Sequence, residues 1–226
     1  MLLREIPFDF DTNQLSRYMK TDSGTNRAKA FEDIANEVRN VGKPKALYKA
    51  SFIDEKGEDT ITLDGITFTS LTLRKNLDSM ERVFPYVATC GTEIDEIEIE
   101  QGDFAKKIWI SMLKGDLLKA SMEFLKEHIT KRYGFSSLSS MNPGAGDASV
   151  WPLEQQRELY SICGDVEGLI GVRLTKSMVL APDMSVAGIF FPTEVDFQSC
   201  QLCHRENCRS RRAAFEKDLW KSINQC

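Results

Sequence analysis

Three thiols fall within nine residues: Cys200, Cys203 and Cys208, in the stretch CQLCHRENC, with a fourth cysteine at Cys226. Thiolates spaced this closely select soft metals, either zinc or an iron–sulfur cluster. Three ligands are one short of the usual four. His204, a water or a partner's residue could complete the set, but His204 directly follows Cys203 and both would strain to reach one ion. The expected metal set is therefore Cys200, Cys203, Cys208 and Cys226, with plain reduced thiols as the alternative. Positions 1–199 hold only Cys90 and Cys163. In a reducing compartment such uneven clustering suits metal or redox chemistry better than disulfides.

A second candidate is the loop Asn142-Pro143-Gly144-Ala145-Gly146-Asp147. Two glycines two apart let a backbone approach a ligand closely and offer it main-chain N–H groups. The loop lacks the third glycine of a dinucleotide fingerprint and the Lys-Ser/Thr of a phosphate loop. A plain loop with glycines for geometry competes with the ligand reading. Glu123 lies among apolar neighbours, where a carboxylate either meets a ligand or faces solvent. Nucleophilic machinery is missing. The two histidines are His128 and His204, and no serine sits in a Gly-x-Ser-x-Gly elbow. The acids at 93, 95, 96, 98 and 100 alternate with isoleucines and read as a solvated face.

The elements that would position these residues follow from periodicity. Asn26 to Val41 repeats apolar residues at helical spacing and ends at Gly42 and Pro44. Phe8 to Gly42 as a whole reads as two short helices. Lys45 to Ile53 reads as a strand. Thr60 to Leu63 and Ile66 to Thr69 alternate on either side of Asp64-Gly65, a strong hairpin signal. Leu73 to Val83 reads as a helix and Phe84 to Gly91 as a buried strand. Asp103 to Tyr133 is the longest helical pattern, capped by Asp103 and ended by Gly134, with an apolar face wide enough to pack on a sheet. Ser136 to Trp151 reads as a loop and Pro152 to Cys163 as a helix. Val172 to Thr175 and Ser185 to Pro192 read as strands, and a last helix carries Phe215, Leu219 and Ile223. The mixed order, without βαβ alternation, predicts an α+β fold: a twisted, largely antiparallel sheet with long helices packed on it. Residues 1–45 form an N-terminal helical segment, 46–195 the main domain, and 196–226 a cysteine-rich basic tail.

Bulk properties narrow the function class. The 226 residues are 42% hydrophobic and 28% charged, as in ordinary globular proteins. Net charge is −5, which gives no electrostatic reason to seek nucleic acid or an anionic membrane. Residues 200–226 hold six bases and three acids, a net +3, so the rest carries −8. No apolar run approaches the ~20 residues that span a bilayer, and charge interrupts the first five residues. A cytoplasmic protein is expected.

Four segments, taken in order, resemble a known family: MNPGAGD (141–147), WPLEQQ (151–156), IGVRLTKSM (170–178) and PDMSVAGI (182–189). The family is the activation (reactivation) domain of vitamin B12-dependent methionine synthase, in its stand-alone form. The likeness runs from Tyr48 to Pro192, and the cysteine and Arg-Arg tail looks like that of stand-alone members from anaerobic bacteria. The resemblance implies S-adenosylmethionine as ligand and methyl donor. It implies cobalamin on a partner, either a corrinoid-binding protein or methionine synthase, and an electron donor such as a flavodoxin or ferredoxin. In the family, an inert cobalt(II) corrinoid is returned to methylcobalamin by one electron and the methyl group. The domain's part is positioning, so it needs no acid–base set.

By position, Asn142, Pro143, Gly144, Gly146 and Asp147 match the family's ligand-binding segment, and Glu123 matches a Glu-rich turn of its long helix. The family has an Arg three residues before the Pro and a Tyr after the Gly, where this chain has Ser140 and Ala145. Serine cannot make a bidentate carboxylate contact, so Arg173 or Lys176 is expected to take that place. The rival reading is a docking module that binds a corrinoid protein or methyltransferase component without S-adenosylmethionine. A metal-responsive regulator is weakest, because no nucleic-acid-binding pattern accompanies the cysteines.

Overall fold

The computed structural model describes residues 1–10, 25–146, 150–193, 197–208 and 211–224. Its centre is strand β6 (Arg82–Thr89), whose sequence RVFPYVAT is apolar nearly throughout because both of its faces are covered. Val83 and Val87 enter one core, while Phe84, Tyr86 and Ala88 enter another. This is the two-residue side-chain period of a strand buried on both sides. Strand β10 (Ser185–Pro192) pairs along one edge of β6, and β7 (Leu138–Met141) pairs beyond β10. Along the other edge lie β2 (Lys45–Tyr48) and then β3 (Ser51–Lys56). β1 (Leu2–Leu3) extends the sheet from β2, and the hairpin β4 (Thr60–Leu63) and β5 (Ile66–Thr69) extends it from β3. Every pairing is antiparallel, as is that of the small ribbon β8 (Arg173–Leu174) and β9 (Leu180–Ala181). The α+β expectation, with a largely antiparallel sheet, is met.

Helix α1 (Asn26–Val41) has the limits read from periodicity, and Thr25 Oγ1 accepts from the Ala28 N–H at 3.2 Å as its N-cap. Two expectations shift. The helix read over 73–83 is α2 (Leu71–Asn76), which stops early, and β6 begins at Arg82. The strand read over 45–53 breaks at Lys49 and Ala50 into β2 and β3.

The longest pattern folds as α3 (Phe104–Tyr133). Asp103 Oδ1 accepts from the Lys106 N–H at 2.9 Å, and Gly134 closes the helix in the left-handed conformation. Its first half packs against α1 through Trp109, Ile110, Leu113 and Leu117. Its second half lays Leu125 and Ile129 on the sheet. Ser121 is fully buried, and its hydroxyl donates to the Thr89 carbonyl at 2.9 Å. Lys114, 9% exposed, pairs with Asp95 and with Asp183 at 2.8 Å, tying the helix to the turn that leads into β10.

The opposite face of the sheet is covered by the hairpin, α2, α4 (Gln156–Ile162), α5 (Val166–Ile170) and the chain's last segment. There Phe197, Leu202 and Ile223 of α6 (Lys217–Asn224) are buried in the same core as Val87 and Ile189. Lys75 Nζ donates to the carbonyls of Ser222 and Ile223. The segments separated by composition at either end thus place side chains and a strand within the main cores.

Candidate functional site

Ser136 to Trp151 reads as loop in sequence, yet it holds β7, the strand at the sheet's edge. Leu138 faces the α3 side and Met141 the other. Directly after β7, Ala145 N–H donates to the Asn142 carbonyl at 3.1 Å, with Pro143 and Gly144 between. Gly144 has φ +74°. Proline second and a positive-φ glycine third define a type II turn. Gly144 N–H donates in turn to the Trp151 carbonyl at 2.9 Å. Both N–H groups are therefore consumed inside the loop. Here Gly144 answers a backbone demand, and the N–H groups of 144 and 145 are not free for a ligand.

The side chain of Asn142 points back across the sheet. Its Nδ2 donates to Tyr86 Oη at 2.8 Å and to the Ala187 carbonyl at 2.7 Å. The approach requires Gly188, since a Cβ there would sit 2.3 Å from Asn142 Nδ2 and 2.6 Å from the Met141 carbonyl oxygen. Tyr86 stacks on Phe190 with ring centres 4.3 Å apart. Burial pushes its hydroxyl up to about 12, against the pull of Asn142, Ser140 and the nearby charge of Arg212. The phenol remains protonated at any physiological pH and can act only as a neutral hydrogen-bonding group.

Over this network runs a groove with two lobes. One, of about 450 Å³, lies between α3 and the sheet. Leu118, Met122, Leu138, Val186 and Phe190 make its apolar walls, with Lys119, Glu123 and Lys126 at the helix side. The other, of about 400 Å³, is lined by the 142–146 loop and by Cys200, Cys203, Arg205 and Cys208. Ser140, Asn142, Val186, Gln198 and Arg212 line both, so the two lobes adjoin. Each volume lies in the range of small-molecule sites.

The cysteine segment is shaped by an arginine. Arg211 donates to the carbonyls of Cys200 at 3.1 Å, Cys203 at 3.0 Å and Ala213 at 3.1 Å, and also to that of Arg205. The Arg212 N–H donates to Cys200 Sγ at 3.4 Å. Four carbonyls converge on one guanidinium, so the loop winds around Arg211. Among the described residues, no three His, Cys, Asp or Glu side chains converge to hold a metal ion. Cys226, the expected fourth ligand, lies outside the described residues. His204 instead packs 4.5 Å from Phe215 and 5.3 Å from Trp220, ring centre to ring centre.

The structure brings Asn142, Pro143, Gly144 and Gly146 together with Cys200, Cys203 and Cys208 on one groove. Asp147 lies outside the described residues. Glu123 is 69% exposed on the rim, 3.8 Å from Lys119, which matches the solvent-facing alternative while leaving it beside the cleft. Neither Arg173 nor Lys176 lines either lobe. Arg173 belongs to the separate β8–β9 ribbon, and among the described residues the arginines that line the lobes are Arg205 and Arg212. Sequence reasoning missed Tyr86, Gly188, Gln198 and Arg212. Gly188 carried a signal, as a lone glycine inside an apolar strand often marks a close backbone approach.

The acidic run is only partly a solvated face. Glu93 pairs with Lys45 at 2.7 Å and Asp95 pairs with Lys114, while Glu96, Glu98 and Glu100 are exposed. Neither histidine lines the groove, and His128 Nε2 lies 3.2 Å from Tyr48 Oη.

No protein-family model matches the sequence, and no curated protein matches it as a relative. Among solved structures, the crystal structure of the MetH reactivation domain bound to AdoHcy is similar. Its TM-score is 0.60 at 17% identity, over 81% of this chain and 71% of that one. At that identity the likeness speaks for architecture. The chain has the fold of the MetH reactivation domain.

Proposed function

We propose that the groove binds S-adenosylmethionine and presents its methyl group to a cobalt corrinoid carried by a partner protein. One electron from a separate donor brings cobalt(II) to cobalt(I). Cobalt(I) then takes the methyl from sulfur, leaving methylcobalamin and S-adenosylhomocysteine. The observation that carries the reading is the two-lobed groove, on this fold, whose rim holds the glycine-bearing 142–146 loop. The related fold has been crystallised with AdoHcy bound, the product this transfer would release.

The chain's own residues are suited to holding rather than reacting. The apolar walls of Leu118, Met122, Val186 and Phe190 suit an adenosine, and the Tyr86, Asn142 and Ser140 floor offers neutral polar contacts. Fixing the donor over its acceptor turns an encounter into an oriented step, and this alone can supply a large share of a rate. No helix among the described residues is long and apolar enough to cross a membrane.

Calorimetry with S-adenosylmethionine tests the first half of the reading, and saturable heat at micromolar to low millimolar ligand is expected. Reconstitution tests the second. Protein, a cobalt(II) corrinoid protein, a reductant and S-adenosylmethionine should together yield the methylcobalamin absorbance. Ser140 and Ala145, standing where the family carries Arg and Tyr, favour the rival reading of a docking module without this ligand. Absence of heat at millimolar S-adenosylmethionine, with a corrinoid protein still bound, would select it.

A further inference from the structure

We infer that Arg212, delivered by the C-terminal segment, is the carboxylate-recognising residue of the groove and sets its preference for an amino-acid-type ligand. The inference rests on the reading of the groove as a site for S-adenosylmethionine and deepens it. Arg212 is the one charged residue shared by both lobes among the described lining residues. It therefore stands at their junction, beside Ser140, Asn142 and Gln198. Its charge is felt by the Tyr86 hydroxyl on the floor.

Two adjacent arginines divide the work. Arg211 is spent on the carbonyls of residues 200, 203, 205 and 213. That brace, with the Arg212 N–H held by Cys200 Sγ, fixes the backbone from which Arg212 projects. The Arg212 side chain has no carboxylate partner among the described residues, and the residue is exposed. Among the described lining residues, the rim near it carries Lys119, Lys126 and Arg205 against one acid, Glu123, which is already beside Lys119. This local excess of positive charge belongs to a chain whose net charge is −5.

The donor set decides between anions. A phosphate site draws on a fan of backbone N–H groups, and those of residues 144 and 145 are used within the turn. One planar guanidinium at a junction matches the two oxygens of a carboxylate. The ligand class is thus a zwitterion with an apolar body, the body along α3 and the carboxylate at Arg212.

The test uses the full chain and two probes, S-adenosylhomocysteine and its decarboxylated counterpart, each titrated calorimetrically into wild type, Arg212→Met, Arg212→Lys and, as a control off the groove, Arg173→Met. Wild type should favour the carboxylate-bearing probe by about tenfold or more, from a charge-assisted contact at a partly exposed site. Arg212→Met should erase that preference and leave the decarboxylated probe's affinity unchanged. Arg212→Lys should keep part of it and Arg173→Met all of it. An unchanged preference in Arg212→Met would overturn the assignment while leaving the groove reading intact. So would an equal loss for both probes, which marks a structural brace. Failure of both probes to bind wild type would sink the groove reading and Arg212 with it. Circular dichroism of each variant excludes misfolding as the cause.

Discussion

Replacing Gly188 with alanine adds one methyl group at the most crowded point of the groove floor. The new Cβ would lie 2.3 Å from Asn142 Nδ2, 2.6 Å from the Met141 carbonyl oxygen and 2.8 Å from Tyr86 Oη. The carbonyl belongs to the β7–β10 ladder, where Ile189 faces Met141, so the backbone has little room to give. Asn142 must therefore swing away, losing its hydrogen bonds to Tyr86 Oη and to the Ala187 carbonyl. Each such bond nets about 1 kcal/mol, and forced repacking of a dense interior adds about 1–3 kcal/mol. The expected loss is about 3–5 kcal/mol. At about 2–4 °C per kcal/mol for a chain of this size, the melting midpoint should fall by about 6–20 °C. Thermal melts and urea titrations of wild type, G188A, N142A and the double variant measure it. With Asn142 already trimmed to alanine the nearest clash is gone, and G188A should then cost about 1–2 kcal/mol less than in wild type. A wild-type-like melt for G188A, or the same cost in both backgrounds, would refute the reasoning.

Two further expectations concern charges and thiols. Burial opposes the charge of Lys114, but hydrogen bonds and attraction from Asp183 and Asp95 outweigh it and its pKa lies above the ordinary lysine value. A raised folded-state pKa gives stability that is complete below the unfolded value, near 10.4, and is lost as pH rises through the folded one. Wild type should thus lose stability above about pH 10 more steeply than Lys114→Met; identical alkaline slopes in urea titrations would contradict this. At neutral pH, Lys114→Met should change stability by only about 1 kcal/mol, because Asp95 and Asp183, 48% and 65% exposed, rehydrate. Burial also pushes the thiols of Cys90 and Cys163 up to about 12. At pH 7.5 both should resist a thiol reagent in the native protein and react once it is unfolded. Labelling of either at the rate of a free cysteine, read by peptide mass, would count against that packing.

Elements with strong local patterns were legible in the sequence. The hairpin turns at Asp64 and Gly65, both at positive φ as its type requires, and β10 and α1 have the limits that periodicity assigns. β7 was not legible, because LSSM contains two serines and has no alternation. Both serines are placed by context: buried Ser139 accepts from the Phe197 N–H at 3.1 Å through its Oγ, and half-buried Ser140 meets Tyr86. The premature end of α2 traces to Asn76, Asp78 and Ser79, which favour turns over helix interiors. For the groove, the sequence pointed to the 142–146 loop and the cysteine segment separately. Their meeting depends on a sheet register that sets residues 86, 140 and 188 close together and on the C-terminal segment that carries 212 beside them. Local spacing does not encode such convergence. The position of Arg173 and Lys176 off the groove has the same origin, since residue type alone could not say which base faces the cleft.

Helix α3 belongs to two cores at once. Its 30 residues make a rod about 45 Å long, clamped by α1 near one end and by the sheet near the other. Leu118 and Met122, which wall the groove, lie between the two clamps. The wall of the cleft and the joint with α1 are therefore consecutive stretches of one helix, meeting at Leu117 and Leu118.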